Sequence, residues 1–92
     1  MFISNGSSLK NAVEAHNSMA SRDVDYWYLN RSSLSSGMVF QSKEDGSMVE
    51  LDCRVPGDGT QWYVINIIQG HRFCEDGIIE PGDLHGYTLV EM

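Results

Sequence analysis

Apolar and polar residues alternate along 48–55, and this period of two predicts a β-strand with one buried face. The residues on its apolar side are Val49, Leu51, Cys53 and Val55. The next stretch, 61–68, is the longest nearly continuous apolar run, which is typical of a central strand covered on both faces. The turn residues between them, Pro-Gly-Asp-Gly at 56–59, predict an antiparallel hairpin.

Apolar residues three and four apart predict a helix from Leu9 to about Ala20. Its apolar stripe consists of Leu9, Ala12, Val13, His16, Met19 and Ala20, and its polar face of Lys10, Asn11, Glu14, Asn17 and Ser18. A helix of about 12 residues is not stable alone, so we expect the stripe to dock on the sheet. We interpret His16 as a hydrogen-bonded residue at the boundary of the core.

The remaining segments complete an antiparallel sheet. The aromatic-rich stretch 23–30 is interpreted as the first full strand, 38–41 as a short strand and 87–92 as the last one, with Phe2-Ile3 as a short edge strand. Residues 69–86 are expected to be irregular, with Ile78-Ile79 reaching the core. The prediction is a single α+β domain over 1–92, in which one N-terminal helix packs on a four- to five-stranded antiparallel sheet.

Charge changes this picture because it is unevenly placed. The net charge is −7, and residues 41–92 carry all of the excess, with ten carboxylates against three basic side chains. Such a surface repels phosphate and attracts basic partners, so we expect no direct binding to duplex DNA. The competing interpretation is that the acidic surface is only solvated and serves solubility. The sequence contains no apolar run of about 18 residues, so we expect no membrane span. The N-terminal residues are uncharged and too few for a secretory signal, so we expect a cytoplasmic protein.

Four side chains could in principle bind zinc: Cys53, His71, Cys74 and His85. The spacing of His71 and Cys74 suits one end of a metal loop, but the second close pair of a typical zinc site is missing. The same two residues could form a thiolate nucleophile, yet no oxyanion donor or orienting carboxylate is identifiable. We therefore expect a non-enzymatic protein without a cofactor, and keep a small metal- or thiol-dependent protein as an alternative.

Two polar surfaces are candidates for partner binding. The first, over residues 21–36, is rich in hydrogen-bond donors and has balanced charge, and it includes Arg22, Asp25, Asn30 and Arg31. The second choice is an acidic face formed by Glu44, Asp45, Glu50 and Asp52. Strand geometry predicts that Glu50 and Asp52 lie about 6–7 Å apart on one solvent face, a spacing comparable to that of phosphates along a nucleic-acid strand.

In size, acidity, single-domain α+β layout and lack of catalytic residues, the chain resembles the small phage-encoded anti-CRISPR proteins, most of all inhibitors of type I surveillance complexes. The resemblance implies an inhibitor that binds a protein or ribonucleoprotein complex with a basic nucleic-acid-binding surface and blocks access of DNA or RNA. If the resemblance holds, the predicted contact residues are Arg22, Asp25, Asn30, Arg31 and the loop residues Gln69, His71 and Arg72, with the acidic face as the second choice. It also implies action in the cytoplasm of a bacterial host. A phage structural or assembly component with an open sheet edge is a further alternative.

Overall fold

The computed structural model describes residues 5–57 and 60–92, with side chains given for 10–57, 60–72 and 77–92. In chain order the elements are α1 (Asn5–Ala20), α2 (Tyr26–Leu29), a 3₁₀ turn (Arg31–Ser33), β1 (Val39–Ser42), β2 (Met48–Arg54), β3 (Trp62–Ile68), β4 (His71–Ile79), a 3₁₀ segment (Pro81–Gly86) and β5 (Tyr87–Glu91). The predicted edge strand at Phe2-Ile3 lies outside the described residues.

The strands form one antiparallel sheet in the order β4-β3-β2-β1-β5. This confirms the predicted α+β fold with one main helix on a five-stranded sheet, and it confirms the β2–β3 hairpin. β3 lies inside the sheet between β4 and β2, as predicted for a central strand. The predicted burial of β3 on both faces was wrong, since Trp62 and Val64 are buried while Tyr63 between them is exposed.

The hydrophobic core lies on one face of the sheet, which we call the inner face. Strand residues in this core are Phe40, Val49, Leu51, Trp62, Val64, Ile79 and Leu89, and the layer that covers them supplies Tyr26, Trp27, Leu34, Met38 and Leu84. The rings of Trp27 and Phe40 meet edge to face with their centroids 5.3 Å apart. Full burial of such large side chains supplies most of the stability of a small domain.

The segment 23–30 is a helical turn rather than the predicted strand. Its backbone bonds run from the Tyr26 N–H to the Asp23 carbonyl (3.1 Å) and from the Leu29 N–H to the Asp25 carbonyl (2.9 Å). Adjacent strand residues point to opposite faces, whereas consecutive residues of a helix can both face the sheet. Because both Tyr26 and Trp27 are buried in the core, tertiary packing overrides the strand preference of the aromatic residues.

A β-bulge in β2 overturns the predicted burial of Cys53. The pairing with β3 shifts between Leu51 and Cys53, which makes Asp52 an extra residue in the ladder. Beyond the bulge the faces are exchanged, so Cys53 pairs with the exposed Tyr63 and is itself exposed. Arg54 moves to the inner side instead, where its guanidinium lies 4.9 Å from the centroid of the Trp62 ring.

The stretch 69–86, expected to be irregular, contains the longest strand of the sheet, β4, and the 3₁₀ segment. Gln69 and Gly70 connect β3 to β4 with positive φ angles of 52° and 82°, the combination that suits a tight hairpin turn. Only one of the two isoleucines predicted to reach the core does so: Ile79 is buried, whereas Ile78 is 51% exposed on the opposite face.

Two side chains of α1 attach the helix to the rest of the fold. The Asn17 amide donates to the Leu89 carbonyl and accepts from the Leu89 N–H, both at 2.8 Å. It therefore makes the two backbone hydrogen bonds that a neighbouring strand would make to Leu89 at the free edge of β5. The predicted boundary residue His16 is hydrogen-bonded to the Tyr26 hydroxyl at 2.6 Å and stacks on Trp27. The predicted helix faces were therefore wrong at Asn17, and also at Met19, which is 55% exposed.

Candidate protein-interaction surface

Residues 19–31, which we call the α1–α2 corner, expose four large apolar side chains. The exposed side chains are Met19, Val24, Tyr28 and Leu29, with fractions of 55%, 67%, 48% and 64%. The cause is local: α2 is a single helical turn that turns Tyr26 and Trp27 toward the sheet, which leaves its next two residues facing outward. Clustered apolar exposure of this kind marks interaction sites on protein surfaces.

The polar rim of the corner is held in place by short hydrogen bonds. Arg31 donates from Nη1 to the Tyr28 carbonyl at 2.8 Å, and its guanidinium lies 4.6 Å from the centroid of the Tyr28 ring. The Asn30 amide donates to the Tyr26 carbonyl at 2.8 Å, and the Asp25 N–H donates to the Asp23 carboxylate at 2.9 Å. The contacts of Arg31 with Tyr28 order both side chains in the free protein, and order of this kind lowers the entropic cost of binding.

Four of the predicted contact residues therefore lie together at this corner: Arg22, Asp25, Asn30 and Arg31. Sequence reasoning missed the apolar residues between them, since Met19 had been assigned to the buried stripe of α1 and Tyr28-Leu29 to a strand. The combination of an exposed tyrosine, a methionine and arginines is the composition in which binding energy concentrates at protein interfaces.

The other three predicted contact residues lie elsewhere. Gln69, His71 and Arg72 form the β3–β4 turn and the start of β4, at the opposite edge of the sheet from β5. Five strands at a spacing of about 4.8 Å put roughly 19 Å between the two edges. Arg72 donates from Nε to Glu50 at 2.8 Å, so one predicted contact residue is ion-paired with a residue of the predicted acidic face.

The predicted acidic face is divided by the fold. Glu44 and Asp45 lie in the β1–β2 turn, where the Ser47 N–H donates to Asp45 at 2.9 Å and hydrogen bonds from Ser47 hold the pKa of that carboxyl below its usual value. Glu50 is half-buried in its ion pair with Arg72. Asp52 occupies the bulge, so the regular spacing predicted between it and Glu50 does not apply.

Further carboxylates lie at the other end of the sheet. Glu80 and Asp83 form a reciprocal capping box at the start of the 3₁₀ segment, and the Gln61 amide donates to Glu80 at 3.1 Å. Among the described residues the negative charges are thus distributed over both ends and one face of the sheet. That distribution favours long-range attraction of a basic partner over imitation of a regular phosphate row.

The four residues considered for zinc are not brought to one place by the strand register. Cys53 pairs with Tyr63 and His71 pairs with Ile68, and five residues along β3 span about 17 Å. His85 is hydrogen-bonded to the Gly82 carbonyl at 2.9 Å. Within 10–57, 60–72 and 77–92, no three His, Cys, Asp or Glu side chains group as metal ligands would. The side chain of Cys74 lies outside these ranges.

Strand geometry also separates the two residues considered for thiol catalysis. His71 and Cys74 belong to β4, where three residues advance the backbone by about 10 Å. The looped connection that could have brought them together is not formed.

Comparison with protein-family models, with curated proteins and with solved structures found no match to this chain. No helix in the described part of the chain is long and apolar enough to cross a membrane.

Proposed function

We propose that this protein is a non-enzymatic inhibitor that binds a nucleic-acid-handling protein complex through the α1–α2 corner and blocks access of DNA or RNA. The observation that carries the proposal is the exposed apolar cluster of the corner, in which Arg31 is already stacked on Tyr28. Interface energy concentrates on such anchors when they are rigid before binding. A type I CRISPR surveillance complex in the cytoplasm of a bacterial host is the partner that we favour.

Charge supports the same partner class by a different route. A net charge of −7 raises the rate of encounter with a basic surface, and this long-range effect does not require the carboxylates to touch that surface. The corner itself balances Arg22 and Arg31 against Asp23 and Asp25, so docking adds little charge repulsion at the contact. In this proposal the acidic residues steer the protein and the corner holds it.

The direct test uses a purified type I surveillance complex and fluorescent target DNA. We expect the protein to reduce DNA binding by the complex, and Leu29→Asp to weaken this inhibition at least about tenfold, since burying an unpaired charge opposes docking. Ile68→Asp is the matched control, because Ile68 is 53% exposed and lies at the β3–β4 hairpin, far from the corner. Unchanged DNA binding at low salt, or equal effects of both variants, would overturn the proposal.

Two double variants with reversed charges distinguish binding through the α1–α2 corner from binding through an acidic face that imitates nucleic acid. Arg22→Glu combined with Arg31→Glu changes the corner, whereas Glu50→Lys combined with Asp52→Lys changes the acidic face. We expect the first pair to slow inhibition and weaken affinity, and the second pair to change mainly the association rate and its salt dependence. A larger loss of affinity from the second pair would assign the contact to the acidic face.

A further inference from the structure

The face of the sheet opposite the core, which we call the outer face, carries an apolar patch on β2, β3 and β4. Its residues are Met48, Glu50, Tyr63, Ile65, Ile67, Arg72 and Ile78, which the register places side by side. Tyr63 and Ile78 are direct cross-strand neighbours and are 36% and 51% exposed. The apolar residues Met48, Ile65 and Ile67 are half-buried against one another.

No described helical segment covers this patch. The helical residues that reach the core all do so on the inner face: Val13 and Ala20 from α1, Tyr26 and Trp27 from α2, and Leu84 from the 3₁₀ segment. At the β1 end of the outer face, Val39 is buried, so the accessible part of the face is the β2–β4 side. An apolar sheet face of this kind gains free energy when a second layer excludes water from it.

The patch is also electrically neutral, which distinguishes it from the molecule as a whole. Its one carboxylate, Glu50, and its one guanidinium, Arg72, are paired at 2.8 Å. A net charge of −7 on each copy opposes self-association at long range, but the paired Glu50 and Arg72 add no local charge repulsion where two patches meet. The paired charges also allow a self-complementary contact, since a twofold axis that passes between Glu50 and Arg72 and is perpendicular to the line joining them brings each Glu50 near an Arg72 of the other copy.

Pairing through the strand edges is disfavoured at both sides of the sheet. At β5, the Asn17 amide already occupies the N–H and carbonyl of Leu89. At β4, Cys74 and Gly77 pair with Ile65 and Val64, which are adjacent residues of β3. The two residues between them, Glu75 and Asp76, therefore form a bulge in the β4 backbone. Bulges and charged residues are the usual means by which edge strands avoid further pairing.

We propose that the outer face binds the outer face of a second copy of this chain, sheet on sheet, in a weak twofold dimer. Three strands and about six residues along them give a footprint of roughly 300 Å² per copy. This is below the roughly 800 Å² per partner of standard stable interfaces, so the dimer exchanges rapidly, with a dissociation constant on the order of 100 µM.

Such a dimer leaves both α1–α2 corners free. The corner belongs to the layer that covers the inner face, so the two corners lie on opposite outer sides of the paired sheets. The dimer is therefore bivalent, and two copies of a partner site within reach would be bound with increased avidity. Self-association is measured without any partner, so it can fail while the proposed inhibition stands, and the reverse is equally possible.

The test is sedimentation equilibrium of the full chain from about 1 µM to 1 mM, a range chosen to bracket the expected constant. We expect a monomer–dimer equilibrium and at least a tenfold rise in the dissociation constant for Ile78→Lys. Ile68→Lys introduces the same charge at a position of similar exposure, 53%, outside the patch, and is expected to change the constant less than twofold. Circular dichroism checks that both variants stay folded.

A charge exchange within the patch provides the second arm. Arg72→Glu leaves two carboxylates on each face and is expected to weaken dimerisation at least tenfold, whereas Glu50→Arg with Arg72→Glu restores neutrality and is expected to recover the constant to within about threefold. A strictly monomeric chain at 1 mM would overturn the proposal. So would a dimer that these variants leave intact, or a face that only a different protein covers.

Discussion

The two faces of the sheet are built from the same strands but differ in what they contribute. On the inner face, Trp27, Phe40 and Leu51 are at most 1% exposed, and they pack against a continuous cover of helical and loop residues. On the outer face, Tyr63 and Ile78 remain accessible, and the charged residues Glu50 and Arg72 form an ion pair among apolar neighbours. The difference teaches that stability is concentrated on one face, which leaves the other free to be changed for binding.

The largest expected effect is on the inner face. Phe40→Ala removes a fully buried ring that meets Trp27 edge to face, and we expect it to lower the free energy of unfolding by about 3–5 kcal/mol. Ile78→Ala on the outer face removes a half-exposed side chain and is expected to cost less than about 1 kcal/mol. Urea denaturation measures both, and equal losses would show that the two faces are not distinct.

A smaller effect is expected where the covering layer meets the sheet edge. Asn17→Ala removes both bonds to Leu89 and is expected to cost about 1–3 kcal/mol, because a backbone donor and acceptor lose their partner. Asn11→Ala, on the exposed side of α1, is the control and should change stability by less than about 0.5 kcal/mol. Thermal unfolding followed by circular dichroism distinguishes them; a neutral Asn17→Ala would mean that apolar contacts alone hold α1.

Gly77 tests how closely β3 and β4 pack. A Cβ at this position would lie 2.9 Å from Cγ2 of Val64, which is buried in the core, so Gly77→Ala is expected to destabilise the fold by about 1–2 kcal/mol. Gly82→Ala is the matched change, since nothing lies within 4 Å of a Cβ there. Chemical denaturation of the two variants in parallel checks the difference, and identical midpoints would contradict the close approach.

The smallest effect concerns alkaline pH. Burial raises the pKa of Tyr26 above its ordinary value of 10.0, so the folded state holds the phenol proton more tightly than the unfolded chain does. The stability from this group is complete below pH 10 and is lost as pH rises from there through the folded-state pKa. Unfolding measured from pH 9 to 11 should show a shallower decline for Tyr26→Phe than for the exposed-site control Tyr28→Phe.

Elements with a clear local pattern could be predicted from the sequence. The hairpin of β2 and β3, the strand β5 and most of α1 follow directly from periodicity and turn residues. Tyr26–Leu29 could not, since aromatic residues favour strands and only their joint burial against the sheet selects a helical turn. The strand β4 was missed because its glycine and charged residues carry no period, although it follows β3 directly through the tight turn at Gln69 and Gly70.

The candidate site was predicted only in part, for a related reason. The polar residues Arg22 and Arg31 stand out in the sequence, but the exposure of Met19 and Leu29 depends on how α2 is rotated against the core. The position of Cys53 shows the same limit. The bulge at Asp52 moves Cys53 and Arg54 to the opposite faces of the sheet, and nothing in the alternation of apolar and polar residues indicates the bulge.

The amide of Asn17 has a consequence beyond the native fold. A row of free backbone groups can act as a template on which identical chains stack into cross-β fibrils. While α1 is docked, the N–H and carbonyl of Leu89 at the β5 edge are bonded to Asn17 and are not available for such pairing. We therefore expect proteolytic loss of α1 both to weaken the domain and to free these backbone groups at the edge of the sheet for pairing with another chain.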